Sequence, residues 1–484
     1  MVHSPAAEAA AIALNRFGLG ARADDPPVGD PRAWLLAQFD RYEAAPAAWA
    51  GQPGSAALAG TYAQTRREVV RARAAANGTA SAVPALAASP AEVDPAMQEA
   101  RKMLRDEVVT RYRSDVDARV NSALTAPAPF VERLVHFWAN HFAVSTEKPQ
   151  VAMLAGAFEV EAIRPHVLGR FEDMLVAVER HPAMQFFLDQ AGSVGPDSAA
   201  ALRAEQRNPE RKRGLNENLA REIMELHTLG VRSGYTQQDV TEFARALTGW
   251  SVAAAQGPQR MAAPPGTFVF RPALHEPGAR TVMGRAYDQP GEQQARAILH
   301  DLAVAPATAR HVAGKLAQHF VADRPPPALV DRLAAAFTKS GGDLPTVYRT
   351  LVESSDAWSP VPAKFKTPWD WAVSSLRGLG WRDLGSLQAA PLLTQLGQPV
   401  WRPGSPAGYD DIAASWAAPD ALVRRVEVAQ RLAARAGGDV DPRRLGQRLL
   451  AGTLGAPTEQ AVSRAESTTT ALALLLVSPD FQRR

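Results

Sequence analysis

The sequence contains no cysteine and only seven lysines among its 484 residues. The absence of cysteine excludes a disulfide scaffold, iron–sulfur ligation, a thiolate zinc site and a cysteine nucleophile. A metal ion would therefore be held by His, Asp or Glu. An excess of charge of one sign is also lacking, because 53 basic residues face 50 acidic residues and leave a formal net charge of +3. This near balance predicts no nucleic-acid partner, since nucleic-acid-binding proteins present a dense basic face.

Long hydrophobic runs are missing as well. The longest apolar stretch, residues 471–477, is far shorter than the roughly 20 residues that cross a bilayer, so the sequence predicts no membrane span. The first residues carry no basic segment followed by an apolar run, so the chain as given predicts a cytoplasmic location. Hydrophobic residues make up 46% and charged residues 21% of the chain, which is typical of a folded globular protein.

Helix signals dominate what is present. The fold class predicted is mainly α, as one large multi-helix domain over residues 1–484, and no fixed-period repeat points to a solenoid. The two clearest helices are those predicted at 216–229 and 237–250. Gly230 is expected to end the first, and Thr236 is expected to cap the start of the second. Helices are predicted at 6–16, 62–75, 95–118, 130–142, 216–229, 237–250, 307–320, 327–338 and 344–354.

Three regions depart from the helical pattern. Residues 44–97 are rich in Ala, Gly, Ser and Pro on both sides of the 62–75 helix, which predicts a loop-rich excursion. Residues 192–214 predict a polar loop with a basic run. Residues 253–290 contain strand-like stretches at 267–270 and 281–283, which predict a small β-hairpin or loop-rich insert.

The helix predicted at 216–229 carries the densest group of candidate catalytic residues. At about 100° per residue, Asn218, Arg221, Glu222 and Glu225 fall in one polar stripe between apolar flanks. Two neighbouring carboxylates beside an arginine can do general acid/base work, because burial and like charge raise one pKa and the arginine lowers the other. The alternative is a buried ion-pair network in which Arg221 ties both glutamates to neighbouring helices.

A second candidate group lies on the helix predicted at 130–142. His136 and His141 are five residues apart, about 140° around a helix, so they are not expected to chelate one metal ion together. The grouping of Trp138, Asn140 and His141 suits a polar substrate such as a sugar, because the indole ring supplies a stacking face. The alternative is a core helix with satisfied polar groups. Later aromatic residues either rim a cleft or pack irregular segments: Trp369, Trp371, Trp401, Tyr409 and Trp416.

These motifs resemble the DUF1800 family of bacterial proteins, whose function is uncharacterised. The resemblance implies that seven residues belong to one motif set: Asn140, His141, Asn218, Arg221, Glu222, Glu225 and His227. It also implies export, because many members resemble exported proteins with twin-arginine signals and are often encoded beside sulfatase-like proteins. The residues that carry it include Leu14-Asn15-Arg16-Phe17-Gly18-Leu19-Gly20, His136-Phe137-Trp138, Asn140-His141-Phe142, Asn216-Glu217-Asn218, Ala220-Arg221-Glu222, Glu225-Leu226-His227-Thr228-Leu229-Gly230, Ala244-Arg245-Ala246-Leu247-Thr248-Gly249-Trp250 and His181-Pro182-Ala183-Met184.

We therefore expect an enzyme that hydrolyses or otherwise cleaves a glycan or another polar polymer. Glu222 is expected to be the acid, Glu225 the base or nucleophile, and Arg221 the group that tunes both pKa values. His141 is the fourth catalytic candidate, and this interpretation requires no cofactor. The residues expected to bind substrate are Trp138, Asn140, Asn218, Trp250 and His275.

Two other interpretations remain open. One is a metal-dependent oxidase or hydrolase, with a divalent metal ion held by His141, Glu222, Glu225 and either His227 or His275. The other is a non-enzymatic binding or assembly protein, in which the same polar residues form a buried latch. The oligomeric state is left open in all three.

Overall fold

The computed structural model describes residues 5–80, 95–207, 214–253, 263–436 and 440–484. In this part of the chain helices predominate, and the strands are confined to two small antiparallel pairs. The predicted mainly α fold class is therefore confirmed. None of the described helices combines the length and the apolar character needed to cross a bilayer.

The helices of the first half of the chain are α1 (Pro5–Ile12), α2 (Pro31–Leu36), α3 (Ser55–Ala80), α4 (Pro95–Thr125), α5 (Pro129–His141), α6 (Pro149–Ala152), α7 (Ala155–Phe158), α8 (Phe171–Arg180), α9 (Pro182–Phe187), α10 (Ala199–Arg207), α11 (Asn218–Glu222) and α12 (Gln237–Leu247). Those of the second half are α13 (Glu292–Val304), α14 (Pro306–Phe320), α15 (Pro327–Ser340), α16 (Leu344–Glu353), α17 (Pro368–Gly378), α18 (Ala389–Gln395), α19 (Ala413–Trp416), α20 (Pro419–Arg435), α21 (Pro442–Leu449), α22 (Ala456–Ser463) and α23 (Thr468–Val477).

Proline opens many of these helices, including α5, α14 and α17. At the first helical position its missing N–H would be unpaired anyway and its fixed φ suits the helix. The capping residue predicted at the start of α12 is confirmed and forms a capping box, since Thr236 Oγ1 accepts from the Asp239 N–H and Asp239 Oδ2 accepts from the Thr236 N–H. Three helical stretches contain a wider π turn: Ala13–Phe17, Glu159–Ile163 and Ile223–His227.

The insert near 253–290 contains the expected strands, but they pair differently from a single hairpin. Strand β1 (Trp250–Val252) pairs antiparallel with β2 (Phe268–Phe270), and β3 (Arg280–Val282) pairs antiparallel with β4 (Arg285–Tyr287). The 237–250 helix therefore ends at Leu247, and Gly249, with φ +89°, turns the chain into β1. Residues 254–262 lie outside the described part of the chain.

Two segments expected to be loops are partly helical. Helix α3 spans Ser55–Ala80, so much of the predicted 44–97 excursion is ordered helix, because the high helix propensity of its alanines outweighs its scattered glycines. Helix α10 occupies Ala199–Arg207 within the predicted 192–214 loop. Residues 81–94, and residues 208–213 with their basic run, lie outside the described residues, so the predictions there stay predictions.

Helix α5 lies in the middle of the hydrophobic core and is buried continuously from Pro129 to Ala139. Because water does not reach them, its polar side chains must find partners inside the protein. Glu132 accepts two hydrogen bonds from Arg164, at 2.5 and 3.0 Å, and Arg133 donates to Asp370 at 2.9 Å. The bond between Arg133 and Asp370 joins the core helix to α17, and both residues line a cavity between these helices.

Candidate functional site

A polar cavity of about 360 Å³ opens between α5, α14, the first turn of α17 and the segment 398–412. Its walls combine cationic, acidic, imidazole and aromatic side chains, which distinguishes it from the apolar core around it. The lining side chains used below are Arg119, Arg133, His136, Asn140, His141, Lys315, His319, Trp369, Asp370, Trp401, Tyr409, Asp410 and Asp411.

Helix α14 supplies the central pair of this cavity. Lys315 and His319 are four residues apart, so they lie on one face of the helix with β-carbons about 5–6 Å apart. The sequence predicted this helix, but its titratable residues were not among the site candidates. The signal that could have identified them is the i, i+4, i+8 spacing of His311, Lys315 and His319.

His319 is paired with a carboxylate from the irregular segment before α19. Its Nδ1 lies 2.5 Å from Asp411 Oδ2, and its Nε2 has no hydrogen-bond partner among the described residues. Burial lowers the pKa of His319, although Asp411 acts in the opposite direction. The ring is therefore neutral near pH 7, with the proton on Nδ1 and an unshared lone pair on Nε2, an atom that is itself buried in the cavity wall.

Asp411 stays ionised in this setting. Burial acts to raise its pKa, but His319, Lys364 and Arg484 outweigh burial and lower the pKa to about 2. The Lys364 Nζ lies 3.3 Å from Asp411 Oδ1 and donates to Asp323 at 2.7 Å. The charge that orients His319 is thus present throughout the neutral range.

Lys315 is a cation with no ion-pair or hydrogen-bond partner in the described ranges. Burial lowers its pKa to about 8, against the attraction of Asp411. It is therefore mostly protonated near pH 7 and available to pair with an anionic group in the cavity.

The other carboxylate deep in the cavity is fully committed. Asp370 Oδ1 lies 2.9 Å from Arg133, and Oδ2 lies 3.0 Å from the Nε of Arg484. Although burial acts to raise it, these two guanidinium groups hold the pKa of Asp370 well below its usual range. Asp370 therefore positions charged groups and has no oxygen left for a substrate proton.

Aromatic rings form one wall, so three of the late aromatics follow the first of the two alternatives that the sequence left open. Trp369, Trp401 and Tyr409 line the cavity, and the Arg119 guanidinium lies 4.2 Å from the Trp369 ring centroid and 5.5 Å from that of Trp401. Trp369 donates its indole N–H to His136 Nδ1 at 3.1 Å. Burial lowers the pKa of His136 to about 4, so this imidazole is neutral.

The remaining two aromatics have other places. Trp371 is fully buried and donates to the Leu476 carbonyl at 2.8 Å. Trp416 donates to the Asp410 carbonyl, also at 2.8 Å, and does not line the cavity. Trp371 therefore joins α17 to α23, and only Trp416 packs an irregular segment, as in the alternative interpretation.

Asn140 anchors the cavity wall. Its amide donates to the Tyr409 carbonyl at 2.8 Å and its Oδ1 accepts from the Tyr409 N–H at 2.8 Å. A β-carbon on Gly408, whose φ is +82°, would lie 2.3 Å from the Asn140 carbonyl oxygen, so only glycine fits there. Asn140, which was expected to bind substrate, lines the cavity. Its side-chain nitrogen and oxygen are, however, both hydrogen-bonded to Tyr409.

His141 and His227 meet behind the cavity, with ring centroids 6.4 Å apart. His141 Nε2 lies 3.0 Å from the His227 carbonyl oxygen; because a carbonyl only accepts, this nitrogen carries the proton. His227 Nδ1 lies 2.7 Å from Glu179 Oε1. The two motif histidines are therefore brought together, but only His141 contributes to the cavity wall.

The segment predicted as one α-helix at 216–229 is α11 followed by a π turn. The Thr228 N–H donates to the Ile223 carbonyl, five residues earlier, at 2.9 Å. This wider turn changes the relative positions of Glu222 and Glu225 from those of an α-helical stripe. Neither glutamate lines the polar cavity.

Arg221 does not pair with these two glutamates. It donates to Glu217 at 3.2 Å and to Gln237 at 3.0 Å, whereas Glu225 accepts from the Tyr235 hydroxyl at 3.1 Å. Burial raises the pKa of Glu222. Asn218, expected to bind substrate, is exposed outside the cavity.

Three further substrate-binding candidates are placed elsewhere. Trp138 and Trp250 are 0% and 1% exposed, so neither ring presents a face to a ligand. Trp138 donates to the Tyr348 hydroxyl at 2.6 Å. His275 Nδ1 lies 2.9 Å from the Thr248 carbonyl oxygen and holds the β insert against the end of α12. All three side chains therefore make contacts within the protein, which the sequence around each of them did not indicate.

The proposed metal ligands do not form a ligand set. In the described part of the chain, no three His, Asp or Glu side chains are grouped so as to hold a metal ion. Of the candidates, His141, His227 and His275 each spend a ring nitrogen on a protein hydrogen bond, and Glu225 is bonded to Tyr235.

A family model described as "Protein of unknown function (DUF1800)" matches residues 12–483. The chain belongs to the DUF1800 family. The resemblance recognised from the motifs is thus confirmed, and the match includes Lys315, His319 and Asp411 as well as the 216–230 segment. No curated protein and no solved structure is significantly similar to this DUF1800 protein.

Proposed function

We propose that this DUF1800 protein is an enzyme that cleaves an acidic glycan, or a similar anionic polar polymer, by general-base catalysis in the polar cavity. The observation that carries the proposal is the His319–Asp411 pair beside Lys315, for which the described residues supply no hydrogen bond or ion pair. A neutral imidazole oriented by a carboxylate is an efficient proton acceptor near pH 7. A lysine ammonium in the same enclosed space attracts a substrate carboxylate.

The reaction that these groups suit is β-elimination next to a uronate carboxylate. Lys315 pairs with the carboxylate and stabilises the negative charge that grows on it as the neighbouring C–H bond breaks. His319 Nε2 takes that proton, the electron pair forms a carbon–carbon double bond, and the glycosidic C–O bond breaks. The protonated His319 then returns the proton to the departing oxygen, so no water or cofactor is consumed. Trp369 and Trp401 line the cavity with the Arg119 guanidinium over both rings, so the sugar would contact this aromatic and cationic wall.

The carboxylates of the cavity favour this route over two-carboxylate hydrolysis. A glycosidase needs two carboxyl groups that are free to act on the glycosidic bond. Here Asp370 is held by two arginines, Asp411 by His319, and Asp410 accepts from the Ser415 hydroxyl at 2.7 Å. Each lining carboxylate is therefore already committed to a protein partner.

The test is a panel of uronate-containing and neutral polysaccharides, read by the ultraviolet absorbance of the unsaturated product and by new reducing ends. On an accepted substrate, His319→Gln should lower kcat by about 10²–10⁴-fold. Lys315→Met should both lower kcat and raise KM for acidic substrates, because Lys315 pairs with the bound carboxylate and stabilises the charge that grows on it in the transition state. His300→Gln, an exposed histidine paired with Glu172, is the matched control and should leave activity unchanged. Full activity in His319→Gln, or reducing ends without the double bond, would contradict the proposal.

A second candidate is glycan hydrolysis by Glu222 and Glu225. Burial and the neighbouring Glu225 charge raise the pKa of Glu222, as suits a general acid. In that case Glu222→Gln abolishes turnover, His319→Gln does not, and the products carry reducing ends alone.

A further inference from the structure

A second cavity lies apart from the polar one and shares no lining residue with it. Its volume is about 700 Å³, within the roughly 300–1,000 Å³ of small-molecule sites. It runs along one face of α3 and is closed on the other side by residues following α6, the end of α9 and strand β1. Apolar side chains dominate its inner part, among them Leu58, Met153, Leu154, Phe186 and Val252.

The charged residues of this cavity are all of one sign. Arg66, Arg67, Arg71 and Arg271 line it, and no Asp or Glu among the described residues does. None of the four guanidinium groups forms an ion pair with a carboxylate of the described residues. Within the described ranges, Arg67 and Arg271 donate only to backbone carbonyls, of Ala63 at 3.0 Å and Val252 at 2.8 Å. Uncompensated cations beside an apolar surface favour an anion that carries an apolar body.

The side chains of α3 that line the cavity become more exposed toward the C-terminal end of the helix. A ligand with an apolar body and a charged end needs such a gradient. Leu58 is buried, Tyr62 is half-buried, and Arg66 and Arg71 are exposed. From Leu58 to Arg71 the helix rises about 20 Å. The cavity thus has an apolar inner end and a basic outer end separated by a distance comparable to a long alkyl chain.

We propose that this cavity binds one long-chain anionic amphiphile, with its alkyl chain between α3 and the Met153–Leu154 segment and its headgroup at Arg66 and Arg71. The class is an unbranched chain with a terminal carboxylate or phosphate, such as a fatty acid or an alkyl phosphate. This site is independent of the polar cavity and of the activity proposed for it. The charge of the four arginines selects the headgroup, and the apolar walls select the tail.

The experiment titrates the full chain by calorimetry with four twelve-carbon ligands below their micelle concentrations: dodecanoate, dodecyl phosphate, dodecanol and dodecyltrimethylammonium. Both anions should bind with one-to-one stoichiometry, the alcohol at least about tenfold more weakly, and the cation not at all. Equal affinity for dodecanoate and dodecanol would overturn the role of the arginines.

Two variants locate the binding. Ala63→Trp places an indole within the cavity and should abolish binding, and the double variant Arg66→Gln/Arg71→Gln should weaken both anions about tenfold or more while sparing the alcohol. The double variant Arg310→Gln/Arg443→Gln removes two arginines elsewhere and is the charge-matched control. Circular dichroism confirms that each variant is folded. Unchanged binding in folded Ala63→Trp, or anion binding lost equally in the control, would refute the site.

Discussion

Replacing Asp411 by Asn removes the charge that orients His319 and keeps the shape of the side chain. The pKa of Asp411 falls from an ordinary 3.8 to about 2 in the folded protein. A shift of roughly 2 units corresponds to about 2–3 kcal/mol of folding free energy at pH 7. Urea denaturation followed by circular dichroism should therefore show Asp411→Asn less stable than the parent by about this amount at pH 7.

The pH dependence of that difference has a defined sign. Because the pKa in the folded state lies below that in the unfolded state, the stabilisation is present in full above about pH 4. It is lost progressively as the pH falls toward about 2, where the carboxylate becomes protonated in both states. The gap between the parent and Asp411→Asn should thus be constant from pH 7 to about pH 5 and shrink below about pH 4.

A matched control and a second measurement complete this test. Asp331 also forms an ion pair, with Arg310 at 2.7 Å, but its side chain is 59% exposed, so Asp331→Asn should cost less than about 1 kcal/mol. Nitrogen NMR of labelled histidine should place the His319 proton on Nδ1 in the parent protein. The reasoning fails if Asp411→Asn is no less stable than Asp331→Asn, or if that proton resides on Nε2.

Three other perturbations test separate contacts. Glu132→Gln should lower the free energy of unfolding by about 3–5 kcal/mol in urea denaturation, because the buried Arg164 guanidinium loses the carboxylate that accepts two of its hydrogen bonds. A loss below about 1 kcal/mol would contradict the pairing. Tyr348→Phe leaves a buried indole N–H without its acceptor and should cost about 1–3 kcal/mol by the same measurement; an unchanged stability would count against that bond. The pKa of Lys315 is about 8, so its rate of acetylation by acetic anhydride, measured by peptide mass spectrometry, should be half-maximal near pH 8. An acetylation rate that keeps rising well beyond pH 9 would argue against the burial of Lys315.

The helices were predictable because their signals are local. Proline at first helical positions, the capping box at Thr236 and Asp239, and the continuous apolar face of α5 all act within one or two turns. The fold class follows from their sum. The helical propensity of the alanines in α3 was also present in the sequence, but glycine and serine nearby pointed toward a loop.

The candidate site was harder to predict, because its members are far apart in the chain. His319 and Asp411 are separated by 92 residues, and nothing local to either one indicates that they meet. The 216–230 motif drew attention through its density of polar residues, but a π turn and a pairing of Arg221 with Glu217 changed its geometry. Only part of the His136–Phe142 motif reaches the cavity, since burial is decided by the elements packed around α5.

The bonds between Asn140 and Tyr409 span 269 residues and fasten the segment that carries Asp411 to the core helix. The catalytic pair proposed here can therefore assemble only after the last quarter of the chain has docked on the first third. A nascent chain that has not yet released residues 398–412 would hold His319 without its carboxylate, so the cavity stays inert until that segment has been synthesised and docked. Late assembly of this kind makes loss of the docked segment, by truncation or proteolysis, equivalent to loss of the site itself.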